Sequence, residues 1–69
     1  MDSQKAVLKV VKKMGSMAEL ARQLGVSRGS VNDWVKGRRK IPARLVKKIV
    51  NLSDGELTEE DLRPDVFYN

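Results

Sequence analysis

Two residue types are missing altogether: this chain of 69 residues contains neither cysteine nor histidine. Without cysteine there is no disulfide frame and no thiolate metal site. Without histidine a zinc site would have to be built from carboxylates alone, against the usual ligand preference of zinc. Long apolar runs are missing too. Lysines interrupt the N-terminal stretch KAVLKVVKKM every three or four residues, so neither a signal peptide nor a membrane span is expected there and the protein reads as intracellular. No repeat, low-complexity segment or glycine-rich phosphate loop is present. A chain of this length builds a single modest core, and residues 1–69 are read as one domain.

The average charge of +5 hides an asymmetry. Thirteen of the fourteen Lys and Arg precede Ser53, whereas six of the nine Asp and Glu follow Leu52. A basic body ahead of an acidic segment, 53–69, points to a polyanionic partner for the body, or else to a solvated, solubilising surface. The acids themselves offer no chemistry. Glu59, Glu60 and Asp61 are consecutive and diverge on a helix, and no second group completes an acid–base pair. Neither an enzyme nor a bound cofactor or metal is expected.

Helical periodicity dominates the chain. Ser3 is placed to cap a first helix whose Val7, Leu8, Val11 and Met14 share a face, with Lys5, Lys9, Lys12 and Lys13 elsewhere and Gly15 at its end. Ser16-Met17-Ala18-Glu19 has the pattern of a capping box and starts a second helix at about Met17. That helix turns Leu20, Ala21 and Leu24 inward and stops at Gly25, which adopts a left-handed conformation without steric penalty. Val26 is expected as a buried hinge. Ser27 caps a third helix from about Arg28 to Lys36, closed by Gly37. After Arg38-Arg39-Lys40, Pro42 suits the first position of a fourth helix, with Leu45, Val46, Ile49 and Val50 inward and Arg44, Lys47 and Lys48 outward. Asn51 to Gly55 reads as its end. Thr58 to Asp61 can cap a last short turn before Pro64, with Leu57, Leu62, Val66 and Phe67 packing back. No segment alternates as a strand, and the expected fold is all-α.

Gly25 separates two apolar sets that are each helical but mutually out of phase. Two short helices joined through glycine and valine, with the apolar face rotated between them, meet the requirement of a helix-turn-helix over about 17–36, in which the second helix swings by roughly 90 to 120°. Ala21 is small where the third helix crosses it, and Val31 and Trp34 anchor that helix from below, which makes Trp34 a core residue. Ser27, Arg28, Gly29, Asn32, Asp33 and Lys36 are then left facing outward as one surface.

The run LARQLGVSRGSVNDWVKGRRKIP with the later ELTEEDLRPDVF resembles the small phage Cro-type repressors and the related YdaS-type antitoxin family, over about residues 6 to 67. The pattern A-x-x-L-G-V-S-x-x-x-V is shared by many regulators; W-x-x-G-R-R-x-I-P with L-R-P-D-V-F narrows it. The resemblance implies a lambda-repressor-like helical fold of four or five helices, binding to operator DNA, and transcriptional control, often in prophages, in the bacterial cytoplasm or nucleoid. Asp33 departs from the pattern, which more often has a neutral polar residue there.

On that reading Arg28 and Asn32, one turn apart, suit guanine and adenine edges in the major groove. Gly29 is either a tolerated early-helix glycine, costing up to about 1 kcal/mol, or a point of close approach to a base. Asp33 either accepts from a cytosine amino group or, the favoured alternative, pairs with Lys36. Arg38, Arg39 and Lys40 lie where a docked helix-turn-helix meets the sugar-phosphate backbone. Ser16, beside free amides at a helix start, would receive a phosphate or serve only as a cap. A homodimer is expected at least on DNA, because half-sites usually lie one helical turn apart. Val66, Phe67 and Tyr68 either close the core or pair two subunits, Phe67 leaning to the first and Tyr68 to the second. A second function, as an antitoxin, would use the acidic segment against a toxin. A third, a membrane-surface helix from KAVLKVVKKM, conflicts with the capping signal directly after it.

Overall fold

A computed structural model describes residues 2–67 and consists of five helices in the order α1 Ser3–Met14, α2 Met17–Leu24, α3 Arg28–Lys36, α4 Ala43–Leu52 and α5 Glu59–Leu62. Among the described residues every regular element is helical, and none is long and apolar enough to cross a membrane. α1 packs on α2, α3 and α5, while α4 is held by α2 and α5. One core results. It is built from Ala6, Val7, Val10, Val11, Leu20, Ala21, Leu24, Val31, Trp34, Ile41, Leu45, Val46, Ile49, Leu57 and Leu62.

Local capping chemistry sets most boundaries. Ser16, Ser27 and Thr58 have extended backbones, and each accepts a hydrogen bond from the amide three residues on, satisfying a donor that the helix itself cannot. Thr58 completes a capping box: Asp61 Oδ2 accepts from the Thr58 amide at 2.9 Å while Thr58 Oγ1 accepts from the Asp61 amide at 3.2 Å. At the other ends, Gly25 (φ 71°) and Gly37 (φ 77°) are left-handed. Behind each, the chain donates back into the helix, Val26 N–H to the Ala21 carbonyl at 3.0 Å and Arg38 N–H to the Asp33 carbonyl at 2.8 Å. A side chain at either glycine would be strained.

The structure corrects several expectations. Asp2, not Ser3, caps α1; its Oδ1 accepts from the Lys5 amide at 2.9 Å, and a carboxylate at a helix N-terminus also meets the favourable end of the helix dipole. The buried stripe of α1 is Ala6, Val7, Val10 and Val11, because three helices cover it, and Leu8 stays 39% exposed at its edge. Ser16 and Glu19 form half a capping box: the Glu19 carboxylate turns forward to Gln23 and Arg22, whose hydrogen bonds lower its pKa from the ordinary value. Val26 and Val50 are half-buried. Pro42 precedes α4 with an extended ψ of 133° instead of opening it. Val66 is 45% exposed, whereas Phe67 packs partly buried against the core. Tyr68 lies outside the described residues.

The turn into α5 depends on one buried polar side chain. Ser53 is fully buried at the end of α4, where its Oγ donates to the Val50 carbonyl at 2.6 Å and accepts from the Leu57 amide at 3.2 Å. Replacing it by alanine leaves the Leu57 N–H without that acceptor in a dry site. Ser53→Ala is expected to destabilise the fold by about 1–3 kcal/mol, measured by thermal or urea unfolding. A variant as stable as the parent would mean that the Leu57 amide finds another acceptor.

Candidate nucleic-acid interface

The α2–α3 pair leaves one face of α3 uncovered. Val31 is fully buried and Trp34 is 4% exposed, which fixes the inward side of the helix. Residues 28, 29, 32, 33 and 36 then fall on the opposite side, since positions one turn apart share a face. Ser27, Arg28, Gly29 and Lys36 are exposed, and Asn32 and Asp33 are half-buried at the margin. Trp34 is therefore a core side chain and offers no stacking platform. Arg28 and Lys36 make no ion pair among the described residues.

Asp33 does not reach Lys36. Its carboxylate faces the loop after α3, 3.7 Å from Arg38 Nη1 and 3.8 Å from Arg39 Nε. The cause lies in the backbone: with Gly37 left-handed, the Arg38 and Arg39 amides both turn back to the Asp33 carbonyl, which carries their side chains over the aspartate. At these distances the pairs are weak, and both arginines are largely exposed. Asp33 thus sits between the outward face of α3 and the arginines beside it.

Lys40 groups with Arg38 and Arg39 in the sequence, but its Nζ lies 3.0 Å from Asp65 Oδ2. Asp65 in turn receives two hydrogen bonds of 2.8 Å from the Arg63 guanidinium. Hydrogen bonds from Arg63 first, and Lys40 second, hold the Asp65 carboxyl well below its ordinary value of 3.8. Because the folded-state value is depressed, the contribution of this contact is present above that ordinary value and is lost only as pH falls through the lowered one. Ser16, exposed at the start of α2, caps the helix by accepting from the Glu19 amide, and its hydroxyl can still donate outward. Arg63 and Asp65 stand in the L-R-P-D-V-F motif, which marks them in the sequence without showing what they do.

Comparison with known proteins bears on the family and the fold. A family model described as "Bacterial toxin YdaS" matches residues 7–69. The chain belongs to the YdaS family. It is 45% identical over 56 residues to YdaS of Escherichia coli (strain K12), named as a candidate transcriptional regulator, a match that covers 81% of this chain and 57% of that relative. It is 34% identical over 55 residues to the regulatory protein cro of Pseudomonas phage D3, covering 80% of this chain and 75% of the phage protein. Its fold is similar to that of the Cro protein from prophage element Xfaso 1 in Xylella fastidiosa strain Ann-1, with a TM-score of 0.81 and 33% identity over 93% of this chain and 97% of that one. The five-helix fold is thus that of a Cro-type, YdaS-family protein.

Within this YdaS-family chain, Gly29 is not demanded by the fold. It lies in the first turn of α3 at ordinary helical φ, and a Cβ there would meet only Ser27 Oγ, at 3.7 Å. Alanine has room and a better helix propensity. Gly29→Ala is expected to leave stability unchanged or raise it by up to about 1 kcal/mol, checked by thermal unfolding; a destabilised variant would show that the glycine serves packing.

Proposed function

We propose that this chain is a transcriptional regulator that binds double-stranded operator DNA in the major groove, as a homodimer at least on DNA, and acts as a Cro-like repressor. The observation that carries the reading is the outward face of α3: Arg28, Gly29, Asn32 and Lys36 lie on one surface, with Arg38 and Arg39 exposed directly beside it. The likeness to two Cro proteins, one of a phage and one of a prophage element, supports it. Arg28 and Asn32 carry the base-reading role, with Ser27, Gly29, Asp33 and Lys36 around them; arginine can donate twice to guanine and asparagine can pair bidentately with adenine. Arg38, Arg39 and Ser16 supply contacts to the phosphate backbone, which add affinity but no sequence choice. No catalytic step belongs to this reading.

A second reading draws on the toxin–antitoxin setting suggested by the family description, which itself names a toxin, and on the acidic segment, in which Asp54, Glu56 and Glu60 are exposed. In it the chain is an antitoxin that contacts a toxin through this segment. The two readings are compatible, and each has its own assay: capture of a cognate toxin for the second, duplex binding for the first.

The test begins with selection of a bound sequence from random duplexes, followed by competition between that sequence and random DNA. Arg28→Ala and Asn32→Ala are expected each to lose about 1–3 kcal/mol of discrimination, with far-UV circular dichroism and residual salt-sensitive binding preserved. Gly29→Ala is expected to weaken specific binding despite its intact fold. Retention of full preference by both the Arg28 and Asn32 variants would remove α3 as the reading helix. Replacing Arg38 and Arg39 by alanine is expected to weaken binding to all duplexes and flatten the salt dependence by about one unit per lost contact; an unchanged slope would count against the loop as a phosphate clamp.

A further inference from the structure

The loop between α3 and α4, residues 37–42, contains no regular structure, yet it carries the two arginines assigned above to the phosphate backbone. Something must hold it. At its start, the Arg38 amide is tied to the Asp33 carbonyl, and near its end the Ile41 side chain is buried in the core at 2% exposure. The Arg39 amide reaches the same Asp33 carbonyl at 3.4 Å, and the Asp33 carboxylate lies 3.7 and 3.8 Å from the two arginines; at Lys40 and Ile41 the ties come from a segment more than twenty residues away in sequence. Arg63 Nη1 donates to the Ile41 carbonyl at 2.6 Å, while Nε and Nη2 of the same guanidinium grip both oxygens of Asp65 at 2.8 Å. Asp65 Oδ2 also accepts from Lys40 Nζ at 3.0 Å. One guanidinium and one carboxylate thereby join the loop to the chain after α5 at two successive residues, Lys40 and Ile41.

The surrounding structure aims these groups. Leu62 is fully buried immediately before Arg63, and the amides of Val66 and Phe67 both donate back to the Arg63 carbonyl at 3.1 and 2.9 Å, forming a turn around Pro64 that brings Asp65 beside the guanidinium. The Arg63 side chain is only 16% exposed. A bidentate Arg–carboxylate pair fixes direction as well as distance. Asp65 is also a negative charge at the edge of a basic loop, where electrostatics alone would oppose any polyanion that approaches.

From these contacts we infer that Arg63 and Asp65 form a latch that sets the conformation of residues 37–42, and that Lys40 is a strut of this latch and not a phosphate ligand. For its DNA part the inference rests on the function proposed above; the ordering of the loop does not. Arg63, Asp65 and Lys40 are positioning residues, acting through Arg38 and Arg39. The latch gives the R-P-D portion of L-R-P-D-V-F a role that neither the core nor the reading helix provides.

Two measurements on Asp65→Asn, Lys40→Gln and the double variant separate the possibilities. In the free protein, ¹⁵N relaxation is expected to show lower order for residues 38–41 in Asp65→Asn, with the five helices unchanged; a loop as ordered as in the parent would overturn the latch whatever happens on DNA. On a selected duplex, Asp65→Asn is expected to bind up to about fivefold more weakly, the factor that matches the upper range for an exposed ion pair, although it removes a negative charge. Lys40→Gln is expected to weaken binding without lowering the salt slope, and the double variant to be no weaker than either single one. Tighter binding by Asp65→Asn, together with a slope reduced by about one in Lys40→Gln, would make Lys40 a phosphate contact and overturn its role as strut. Asp65→Glu, which keeps the charge, is expected to restore part of the loop order. If the parent protein binds no duplex, the proposed function falls, and the relaxation measurement still decides whether the latch orders the loop.

Discussion

The left-handed turn at Gly25 is the constraint on which the rest of the molecule depends. With φ at 71° and the Val26 amide returned to the Ala21 carbonyl at 3.0 Å, α2 ends sharply and the chain departs in a direction that no L-residue adopts comfortably. Ser27 then starts α3 at once by accepting from the Ser30 amide. Three residues of connection, Gly25 to Ser27, between a closed helix and a newly capped one leave little freedom in how α3 lies. Its inward residues, Val31 and Trp34, meet the core formed by α1 and α2, and its outward residues have no alternative but the surface.

The same device is used a second time, to a different end. Gly37 closes α3 as Gly25 closes α2, but the residues returned over the helix end are arginines and not a valine. At the first closure the returning residue joins the apolar cluster and fixes a helix direction. At the second, the arginines stay in solvent beside the outward face, with Asp33 beneath them. One backbone motif thus organises packing at one end of the pair and charge at the other. The polar identity of residues 38 and 39 decides the difference.

Charge segregation along the chain becomes a different arrangement in space. The acidic segment does not stand apart from the basic body: Lys13 lies 3.7 Å from Asp54 and 3.8 Å from Glu56, and Lys40 lies 3.0 Å from Asp65. These exposed contacts contribute little stability individually. Their consequence is placement, since each links the segment after α4 to an element that precedes it. Among the described residues, the cations without an ion-pair partner are Lys5, Lys9 and Lys12 on α1, Arg28 and Lys36 on α3, and Arg44, Lys47 and Lys48 on α4, and a polyanion could neutralise them.

Most features that depend on groups three to five residues apart are legible in the sequence. The bounds of α2 and α3, the caps at Ser16, Ser27 and Thr58, the closures at Gly15, Gly25 and Gly37, the burial of Trp34 and the outward set on α3 all follow from local hydrogen bonding and helical period, and the order of residues carries that information directly. Tertiary structure alone decided the choices among near-equivalent local options. Val7, Leu8, Val11 and Met14 form as plausible a stripe as Ala6, Val7, Val10 and Val11 until α2, α3 and α5 close on α1 and leave Leu8 at the edge. Asp33 had Lys36 one turn away, yet the backbone reversal at Gly37 brought Arg38 and Arg39 over it. Lys40 read as one more loop cation because its partner lies twenty-five residues on, and Arg63 reached the Ile41 carbonyl across twenty-two. A side chain's partner at that separation is set by how helices stack, which depends on the summed packing of the whole core and on no short stretch of sequence.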